Sequence, residues 1–384
     1  MRLSRRTLFR QIGAGAAAGV GLPSLTRASL SAHLSDPVSS GARAGDSVRL
    51  HLNENAYGPS AKAIAAIRDG AASLAGRYPD AQEEGLRNKL AGLHRVMPEQ
   101  VIVGCGSGEI LRMAALAFSR SGKKVILAHP TFELMAECAR RAGAQVVSVA
   151  LRSDYSHDLD SMLSHADAAT GLVYICNPNN PTGSLTRRQD LEAFLRKLPL
   201  SAYVLMDEAY HHYVGGSPEY SSFIDRPVDD PRVVVARTFS TIHGLAGVRI
   251  GYAIAAPETA RLLAAERLRD DVSGVATAAA SVALDDLEHV QTSARRNQDD
   301  RQEFCNQANA RMLRTIDSHT NFVMLHVSRP AVETVEHFRK NGVLVAGPFP
   351  VFDKYIRVSL GTRADMREFW RVWDLLPVHH GMTM

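Results

Sequence analysis

The chain has 384 residues, of which 45% are hydrophobic and 22% are charged, a composition typical of a globular protein long enough for two domains. Its formal net charge is +4, but five arginines and no acidic residue lie within the first 30 residues, so the remaining chain is close to neutral. This balance argues against nucleic acid or a membrane surface as a partner of the globular part.

The first 30 residues have the layout of an export signal. A charged start with the paired arginines Arg5 and Arg6 precedes a weakly apolar Gly/Ala run over 12–25 and small residues near Ala28, where a peptidase can cleave. We therefore predict that residues 1–30 are a twin-arginine signal peptide, that the twin-arginine export machinery is a partner, and that the protein is periplasmic or otherwise exported. The alternative is a short amphipathic or anchoring helix, since the run is shorter than the ~20 apolar residues that span a bilayer.

From about Val48 onward, short apolar runs alternate with helical patterns. Six runs are β-branched and nearly continuous, which predicts strands covered on both faces and hence a mostly parallel sheet between layers of helices. These runs are 124–129, 145–151, 171–176, 202–207, 233–237 and 249–255. Between them, the helical pattern over 131–143 ends at Gly143, and the pattern over 186–198 has Thr186 as its predicted N-cap.

After Pro257 the pattern changes to a long charged helical region followed by shorter strands and helices. This order is typical of a smaller α+β domain. We therefore predict an N-terminal arm over 31–75, a large domain over 76–265 and a small C-terminal domain over 266–384.

The four cysteines form no recognisable site. Cys105, Cys138, Cys176 and Cys305 are dispersed, without a CxxC pair or the spacing of metal ligands. We therefore predict no metal site, and spacing alone selects no disulfide pair.

Polar residues stand at the ends of two predicted strands. Asp207 ends the run over 202–207, where open α/β sheets place ligand-binding groups, and Tyr210 follows it. A carboxylate there can hold a proton on a ring nitrogen and the phenol can hydrogen-bond a ring oxygen; the alternative is an Asp that caps the next turn. Asn180 lies in the proline-rich turn "NPNNPTG" (177–183), which can hold its amide toward a ligand.

A glycine-rich turn, "VGCGSGE" (103–109), leads into a predicted helix. Backbone N–H groups after Gly106 can therefore bind a phosphate at the positive end of the helix dipole. The alternative is a packed turn, because the sequence departs from GxGxxG. The hydroxyls of Thr238 and Ser240 and the guanidinium of Arg249 are further natural anion ligands.

Together these motifs resemble the fold-type-I pyridoxal-phosphate-dependent aminotransferases, most closely the histidinol-phosphate aminotransferase branch. The resemblance runs in family order from "LNENAYGPS" (52–60) to "YIRVSLGT" (355–362). It implies the α/β fold of that family, with a mostly parallel sheet between helices and a smaller α+β C-terminal domain. It also implies pyridoxal 5′-phosphate or pyridoxamine 5′-phosphate as cofactor in the large domain, a small amino-acid-like substrate, and a homodimer with shared active sites.

The resemblance also implies roles for individual residues. Asp207 would pair with the pyridinium nitrogen, Asn180 and Tyr210 would contact the ring's O3′, and Arg357 would bind a substrate α-carboxylate. The implied cofactor-binding residues are Gly106, Ser107, Phe132, Asn180, Asp207, Tyr210, Thr238, Ser240 and Arg249, with Tyr78 reaching toward a neighbouring subunit's cofactor. The implied substrate-binding residues are Arg357, Tyr57 and Asn321.

The sequence departs from the family pattern at two positions. In "TFS-x-IHGLAG" the family has its Schiff-base lysine where this chain has Thr241, and near Ala346 the histidinol-phosphate enzymes usually have an arginine for the substrate phosphate. A threonine hydroxyl forms no imine and is no base at neutral pH, so in an active enzyme Tyr210, Tyr57 or His243 would have to move the protons instead. For His243 a structural role is the favoured alternative, because the family tolerates His or an aromatic residue there. The absent arginine argues against histidinol phosphate as the substrate.

Three functions therefore remain open. The protein is an aminotransferase-family enzyme that uses an untethered cofactor, or a pseudoenzyme that binds the cofactor or an amino-acid adduct, or an enzyme that runs a different pyridoxamine-type reaction such as a dehydration. A replacement engineered to trap the substrate is a fourth interpretation of Thr241. All of them require the cofactor and α-carboxylate ligands that the sequence keeps.

Overall fold

The computed structural model describes residues 47–377. The predicted signal peptide, the first part of the predicted arm (31–46) and residues 378–384 lie outside this range. Within it, no helix has both the length and the apolar character needed to cross a membrane.

A seven-stranded sheet lies at the centre of the described chain. Its strands are β2 (Val101–Gly104), β3 (Lys124–His129), β4 (Gln145–Ala150), β5 (Thr170–Cys176), β6 (Tyr203–Asp207), β7 (Val233–Thr238) and β8 (Gly251–Ala255). Their spatial order is β2-β8-β7-β6-β5-β3-β4, and every neighbouring pair is parallel except the two that β8 makes. Six of these strands match the predicted apolar runs within two residues at each end.

The remaining elements are mostly helices. In chain order they are β1 (Val48–Leu50), α1 (Ala61–Ser73), α2 (Asp80–His94), α3 (Ser107–Phe118), α4 (Leu134–Arg141), α5 (Leu159–Ser164), α6 (Arg188–Lys197), α7 (Pro257–Ala264), α8 (Gly274–Asp285), α9 (Leu287–Ala310), β9 (Phe322–His326), α10 (Ala331–Lys340), β10 (Val343–Val345), β11 (Tyr355–Ser359) and α11 (Arg363–Asp374).

Alternate residues of the central strands face two different apolar cores. On β5, Val173 and Ile175 lie in one core with residues of α2, α6 and α8, whereas Leu172 and Tyr174 lie in the other with residues of α3, α4 and α7. Successive side chains of a strand point to opposite faces, so this division means that helices cover both faces of the sheet. The structure thus confirms the predicted α/β fold with a mostly parallel central sheet, and it explains why the strands read as unbroken apolar runs.

A third core lies in the C-terminal part of the described chain. β9 pairs with β11 antiparallel and β1 pairs with β10 parallel, and Leu50 packs in this core with Phe338, Phe369 and Trp370. The core therefore combines a strand from the predicted arm with C-terminal helices and strands. The domain boundaries at 75 and 265 stay predictions.

Two local features differ from the sequence analysis. β2 was not predicted, because three apolar residues leading into a glycine-rich turn are too short a pattern to mark a strand. The predicted N-cap of α6 is wrong: Arg187 occupies the cap position, and the Thr186 hydroxyl instead accepts the backbone N–H of His157 at 3.0 Å. The Thr186 hydroxyl thus binds a residue distant in sequence and does not cap the helix that the local pattern predicted it to cap.

Candidate functional site

A cavity of about 230 Å³ lies at the carboxyl ends of β5, β6 and β7. This is the edge at which open α/β sheets bind ligands. Residues of the arm, the start of α3 and β11 complete its wall. It is lined by Leu52, Asn53, Ser107, Phe132, Cys176, Asn180, Asp207, Ala209, Tyr210, Thr238, Ser240, Thr241, Ala246 and Arg357.

Asp207 is buried at the end of β6, where its two oxygens have different partners. Oδ2 accepts the hydroxyl proton of the fully buried Tyr174 at 2.8 Å, and Oδ1 accepts the backbone N–H of Ala209 at 3.1 Å. Burial raises the pKa of Asp207 to about 6, while the two hydrogen bonds favour the anion. The bond to Ala209 is the turn contact that the sequence left as an alternative, and it coexists with a carboxylate that faces the cavity.

The Tyr210 hydroxyl is a hydrogen-bond donor toward the cavity. Its oxygen accepts amide protons from Asn53 at 3.0 Å and from Asn180 at 3.2 Å, which fill both acceptor positions of a phenol. Burial raises the pKa of Tyr210, so the hydroxyl keeps its proton at neutral pH. The remaining O–H is therefore available to an acceptor on a ligand.

The guanidinium of Arg357, on β11, has hydrogen-bond partners for two of its nitrogens and none for the third. Nη1 donates to Asn180 Oδ1 at 2.5 Å and Nη2 donates to the backbone oxygen of His51 at 2.8 Å. Its Nε is buried and has no partner among the described residues. A buried donor without a partner is costly. Because Arg357 lines the cavity, its guanidinium can also bind a carboxylate there.

The glycine-rich turn and Arg249 lie against each other beside the cavity, whose lining includes Ser107 of this turn but neither Gly106 nor Arg249. Gly106 has a φ of +78°, and a Cβ at this position would collide with Nη2 of Arg249, so the guanidinium lies directly against the turn. The hydroxyls of Thr238 and Ser240 are 2.7 Å apart, next to Ser107 at the start of α3. Hydroxyls, a helix N-terminus and a guanidinium together suit an anion such as phosphate.

Thr241 lines the cavity, and its hydroxyl is already engaged. Oγ1 donates to the backbone oxygen of Ala209 at 2.8 Å. None of the residues that line the cavity is a lysine, and all seven lysines of the chain lie within the described residues. A ligand in this cavity therefore meets no amine of the described chain.

Besides Gly106 and Arg249, three more predicted residues do not line this cavity. The Tyr57 hydroxyl donates to Asp300 Oδ2 at 2.7 Å in a separate small cleft, which Asn321 also lines. The Asn321 amide donates to the backbone oxygens of Asn53 and Glu54, and Tyr78 is 77% exposed at the surface. Their roles stay predictions, because the described chain gives these side chains no contact with the cavity.

His243 also lies away from the cavity, although it follows Thr241 by two residues. Its ring is buried between Phe239 and His212, with centroids 5.0 and 5.6 Å away. Burial lowers the pKa of His243 to about 4, so the ring is neutral at physiological pH. Its surroundings are those of a packed core residue.

Sequence reasoning missed Asn53 and Tyr174. Asn53 reaches the Tyr210 hydroxyl from a position 157 residues earlier in the chain, and no local pattern encodes such a contact. Tyr174 gave a usable signal, because a tyrosine in a strand buried on both faces needs an acceptor for its hydroxyl. The acceptor is the carboxylate that ends the neighbouring strand β6.

Comparisons with known proteins identify the family. The family model for aminotransferase class I and II matches residues 46–372. The histidinol-phosphate aminotransferase of Caldicellulosiruptor saccharolyticus is 36% identical over 324 residues, covering 84% of this chain and 89% of that protein. The Methylobacillus flagellatus enzyme of the same name is 37% identical over 336 residues, covering 87% and 90%.

A solved structure has the same fold. Histidinol-phosphate aminotransferase from Sinorhizobium meliloti, in complex with pyridoxal 5′-phosphate, superposes with a TM-score of 0.79 at 27% identity and covers 85% of this chain and 91% of that one. The fold is therefore that of the fold-type-I pyridoxal-phosphate-dependent aminotransferases. The chain belongs to the aminotransferase class I and II family and is similar to its histidinol-phosphate aminotransferases.

Proposed function

We propose that this protein binds pyridoxal 5′-phosphate or pyridoxamine 5′-phosphate noncovalently and brings it together with an amino-acid-like substrate. The observation that carries the proposal is a cavity lined by seven of the ten predicted cofactor-binding residues and by no lysine. The seven are Ser107, Phe132, Asn180, Asp207, Tyr210, Thr238 and Ser240. In this proposal Thr241 stands where the family has its Schiff-base lysine.

The residues present fit the cofactor. Asp207 accepts a ring N–H, and Tyr210 donates to a ring oxygen. Thr238, Ser240 and Arg249 bind the phosphate together with the N-terminus of α3. Each hydrogen bond to a charged group is worth ~1.5–3 kcal/mol, so several of them hold a phosphorylated ring without a covalent bond. Bound pyridoxal 5′-phosphate supplies an electron sink for the bonds at an amine's α-carbon.

The cavity lacks an efficient base for a proton at the substrate α-carbon. The Thr241 hydroxyl is bound to a backbone oxygen, Tyr210 keeps its proton, and Asp207 is needed for the ring nitrogen. Loss of general base catalysis lowers rates by a factor of ~10²–10⁴. This observation favours a second candidate function, a catalytically inactive protein that binds the cofactor or its amino-acid adduct. Dehydration without the lysine remains the third.

Two further parts of the proposal rest on the sequence. The homodimer with shared active sites follows from the family resemblance. Export follows from the paired arginines Arg5 and Arg6, which lie outside the described residues.

Titration calorimetry with each form of the cofactor tests the proposal. We expect binding to the purified protein, no covalent adduct by mass spectrometry after borohydride reduction, and a ~10- to 100-fold loss of affinity in Asp207→Asn, the equivalent of one charged hydrogen bond. Asp229→Asn, at an exposed position outside the cavity, is the matched control and should bind as the unmodified protein does. Absence of binding by either form at millimolar concentration, or a covalent adduct with the unmodified chain, would contradict the proposal.

A second variant tests the placement of residue 241. Thr241→Lys puts an amine into the cavity, and we expect borohydride reduction to link the cofactor to residue 241. Restored turnover of amino acids with 2-oxoglutarate would favour the enzyme, whereas linkage without turnover would favour the binding protein. If no linkage forms, residue 241 does not face the cofactor's reactive carbon.

A further inference from the structure

Arg357 is the one cationic side chain among the residues that line the cavity. Within the proposed function, it binds the carboxylate of the substrate. The groups around its guanidinium therefore lie near the substrate atoms next to that carboxylate. Besides its polar partners Asn180 and the backbone oxygen of His51, these groups are apolar or aromatic side chains.

Ala346 lies directly beside Arg357. The two residues form an antiparallel bridge in which each backbone N–H donates to the other's oxygen, at 3.0 and 2.9 Å. Residues opposite each other in such a pair place their side chains on the same face, with Cβ atoms ~5.5 Å apart. The neighbour of the guanidinium stem on this side is thus a methyl group without charge.

The segment after Ala346 adds aromatic rings. The ring centroid of Phe349 is 5.7 Å from Cζ of Arg357. The ring centroid of Phe322, on β9, is 5.3 Å from the same atom. Phe349 is half-buried, and its backbone is bridged to that of Phe352, which packs against Tyr155 and Tyr355. We call Ala346, Phe349 and Phe352 the aromatic wall.

The predicted arm supplies a further apolar residue. Arg357 donates to the backbone oxygen of His51, and the next residue, Leu52, lines the cavity with 55% of its surface exposed. Because Arg357 is taken up by the α-carboxylate and no other lining residue is a lysine or arginine, an anionic substrate side chain would gain no ion pair in the cavity. A hydrocarbon or aromatic group there would instead gain from leaving water.

We propose that the substrate of this protein is an α-amino acid with an uncharged aliphatic or aromatic side chain, selected by Leu52, Ala346 and Phe349. The inference rests on the proposed function, because it takes Arg357 as the carboxylate ligand. It excludes substrates with a second anionic group, such as acidic or phosphorylated amino acids.

Stable conjugates of the cofactor and amino acids test the inference without any need for turnover. Reduced N-phosphopyridoxyl conjugates of L-phenylalanine, L-leucine, L-aspartate and O-phospho-L-serine share the cofactor part and differ only in the side chain. Calorimetry with the full chain should give dissociation constants at least 10-fold lower for the phenylalanine and leucine conjugates than for the two anionic ones. Pyridoxamine 5′-phosphate alone, in the same series, reports cofactor binding.

A pair of variants then places the selectivity at the wall. Ala346→Arg adds a cation beside Arg357 and should reverse the order, so that the phosphoserine conjugate binds better than the phenylalanine conjugate. Val351→Arg adds the same charge at an exposed position of the same segment and should leave the order unchanged.

The outcomes separate the two proposals. If pyridoxamine 5′-phosphate and all conjugates fail to bind, the proposed function fails. If pyridoxamine 5′-phosphate binds but the anionic conjugates bind as well as or better than the apolar ones, the proposed function stands and the inference on substrate class is overturned. An unchanged order in Ala346→Arg likewise overturns the role of the wall.

Discussion

At the scale of single residues, burial decides which groups in the cavity carry protons. It raises the pKa of Asp207 to about 6 and raises the pKa of Tyr210, so at neutral pH the first is mostly anionic and the second is neutral. The Tyr174 hydroxyl donates a hydrogen bond to Asp207 Oδ2, and this bond opposes the rise in the pKa of Asp207 that burial causes. Tyr174 is therefore a positioning residue: its hydroxyl contacts the carboxylate, and its side chain does not line the cavity.

Tyr174→Phe tests this role. Removing the 2.8 Å hydrogen bond should raise the pKa of Asp207 further above about 6, so the carboxylate is protonated at a higher pH than in the unmodified protein. Because a protonated carboxyl no longer accepts a ring N–H, the pH at which half of the cofactor affinity is lost should move upward. Calorimetric titrations between pH 5 and 8 measure this midpoint.

Tyr203→Phe is the matched control for that experiment. Tyr203 lies on the same strand as Asp207 and stacks on Phe118, without a hydrogen bond to the carboxylate. In Tyr203→Phe, the pH at which half of the cofactor affinity is lost should equal that of the unmodified protein. Identical midpoints in both variants would show that Tyr174 has no special influence on Asp207.

At the scale of elements, the anion site depends on the close approach of α3 and β8. Gly106 precedes α3 and touches the Arg249 guanidinium, while a Cβ on Gly251 at the start of β8 would collide with the backbone nitrogen of Ser107. Each glycine thus lets one element approach the other. The side chains of the anion site are brought together by this packing and not by the sequence of either element alone.

Gly106→Ala should disturb the anion site. Its φ of +78° with ψ of 164° lies in a region that only glycine adopts readily, so we expect a loss of ~1–3 kcal/mol in the free energy of unfolding. The new methyl also displaces the Arg249 guanidinium, and the affinity for cofactor phosphate should fall ~10-fold or more. Urea denaturation and calorimetry measure the two effects.

The control is Gly85→Ala, on the exposed face of α2, where a Cβ meets no atom within 4 Å. It should stabilise the protein by up to ~1 kcal/mol through helix propensity and leave cofactor affinity unchanged. Gly106→Ala with unchanged affinity would mean that Arg249 does not bind the phosphate.

At the scale of the whole molecule, buried histidines link stability to pH. Burial lowers the pKa of nine buried or partly buried histidines, most strongly those of five. The pKa falls to about 4 for His94, His157 and His243, to about 2 for His211, and well below its usual value for His212. Unfolded histidines titrate near pH 6.5, so below that pH the unfolded chain binds protons that the folded chain does not. Their contribution to stability is therefore complete above pH 6.5 and is lost as the pH falls toward 4.

We expect the free energy of unfolding to fall steeply below pH 6.5, by up to ~1.4 kcal/mol per pH unit for each buried histidine. Asp207 opposes this with one proton, since its raised pKa favours the folded state as the pH falls. Urea denaturation between pH 5 and 7.5 measures the slope. His157→Asn, which removes one buried ring, should reduce the slope by about one proton, whereas His165→Asn at an exposed position should leave it unchanged.

The sequence by itself determined the central strands and most of the cavity. Continuous apolar runs indicate strands here because helices cover both faces of the sheet, so neither set of alternate side chains needs to be polar. Asp207, Asn180, Thr238 and Ser240 lie at strand ends or in turns, and strand ends of a parallel sheet share one edge. The sequence also showed that position 241 holds a threonine and not a lysine, because this concerns a single residue within a long motif.

Only the tertiary structure decided the contacts between distant parts of the chain. Asn53 reaches Tyr210, Tyr174 reaches Asp207, and Ala346 pairs with Arg357, although no local pattern links them. A contact of the same kind, with the backbone N–H of His157, occupies the Thr186 hydroxyl that was predicted to cap the following helix. The physical reason is that a hydrogen-bonding group satisfies itself with whichever partner the packed chain brings within about 3 Å, and sequence patterns encode only neighbours along the chain.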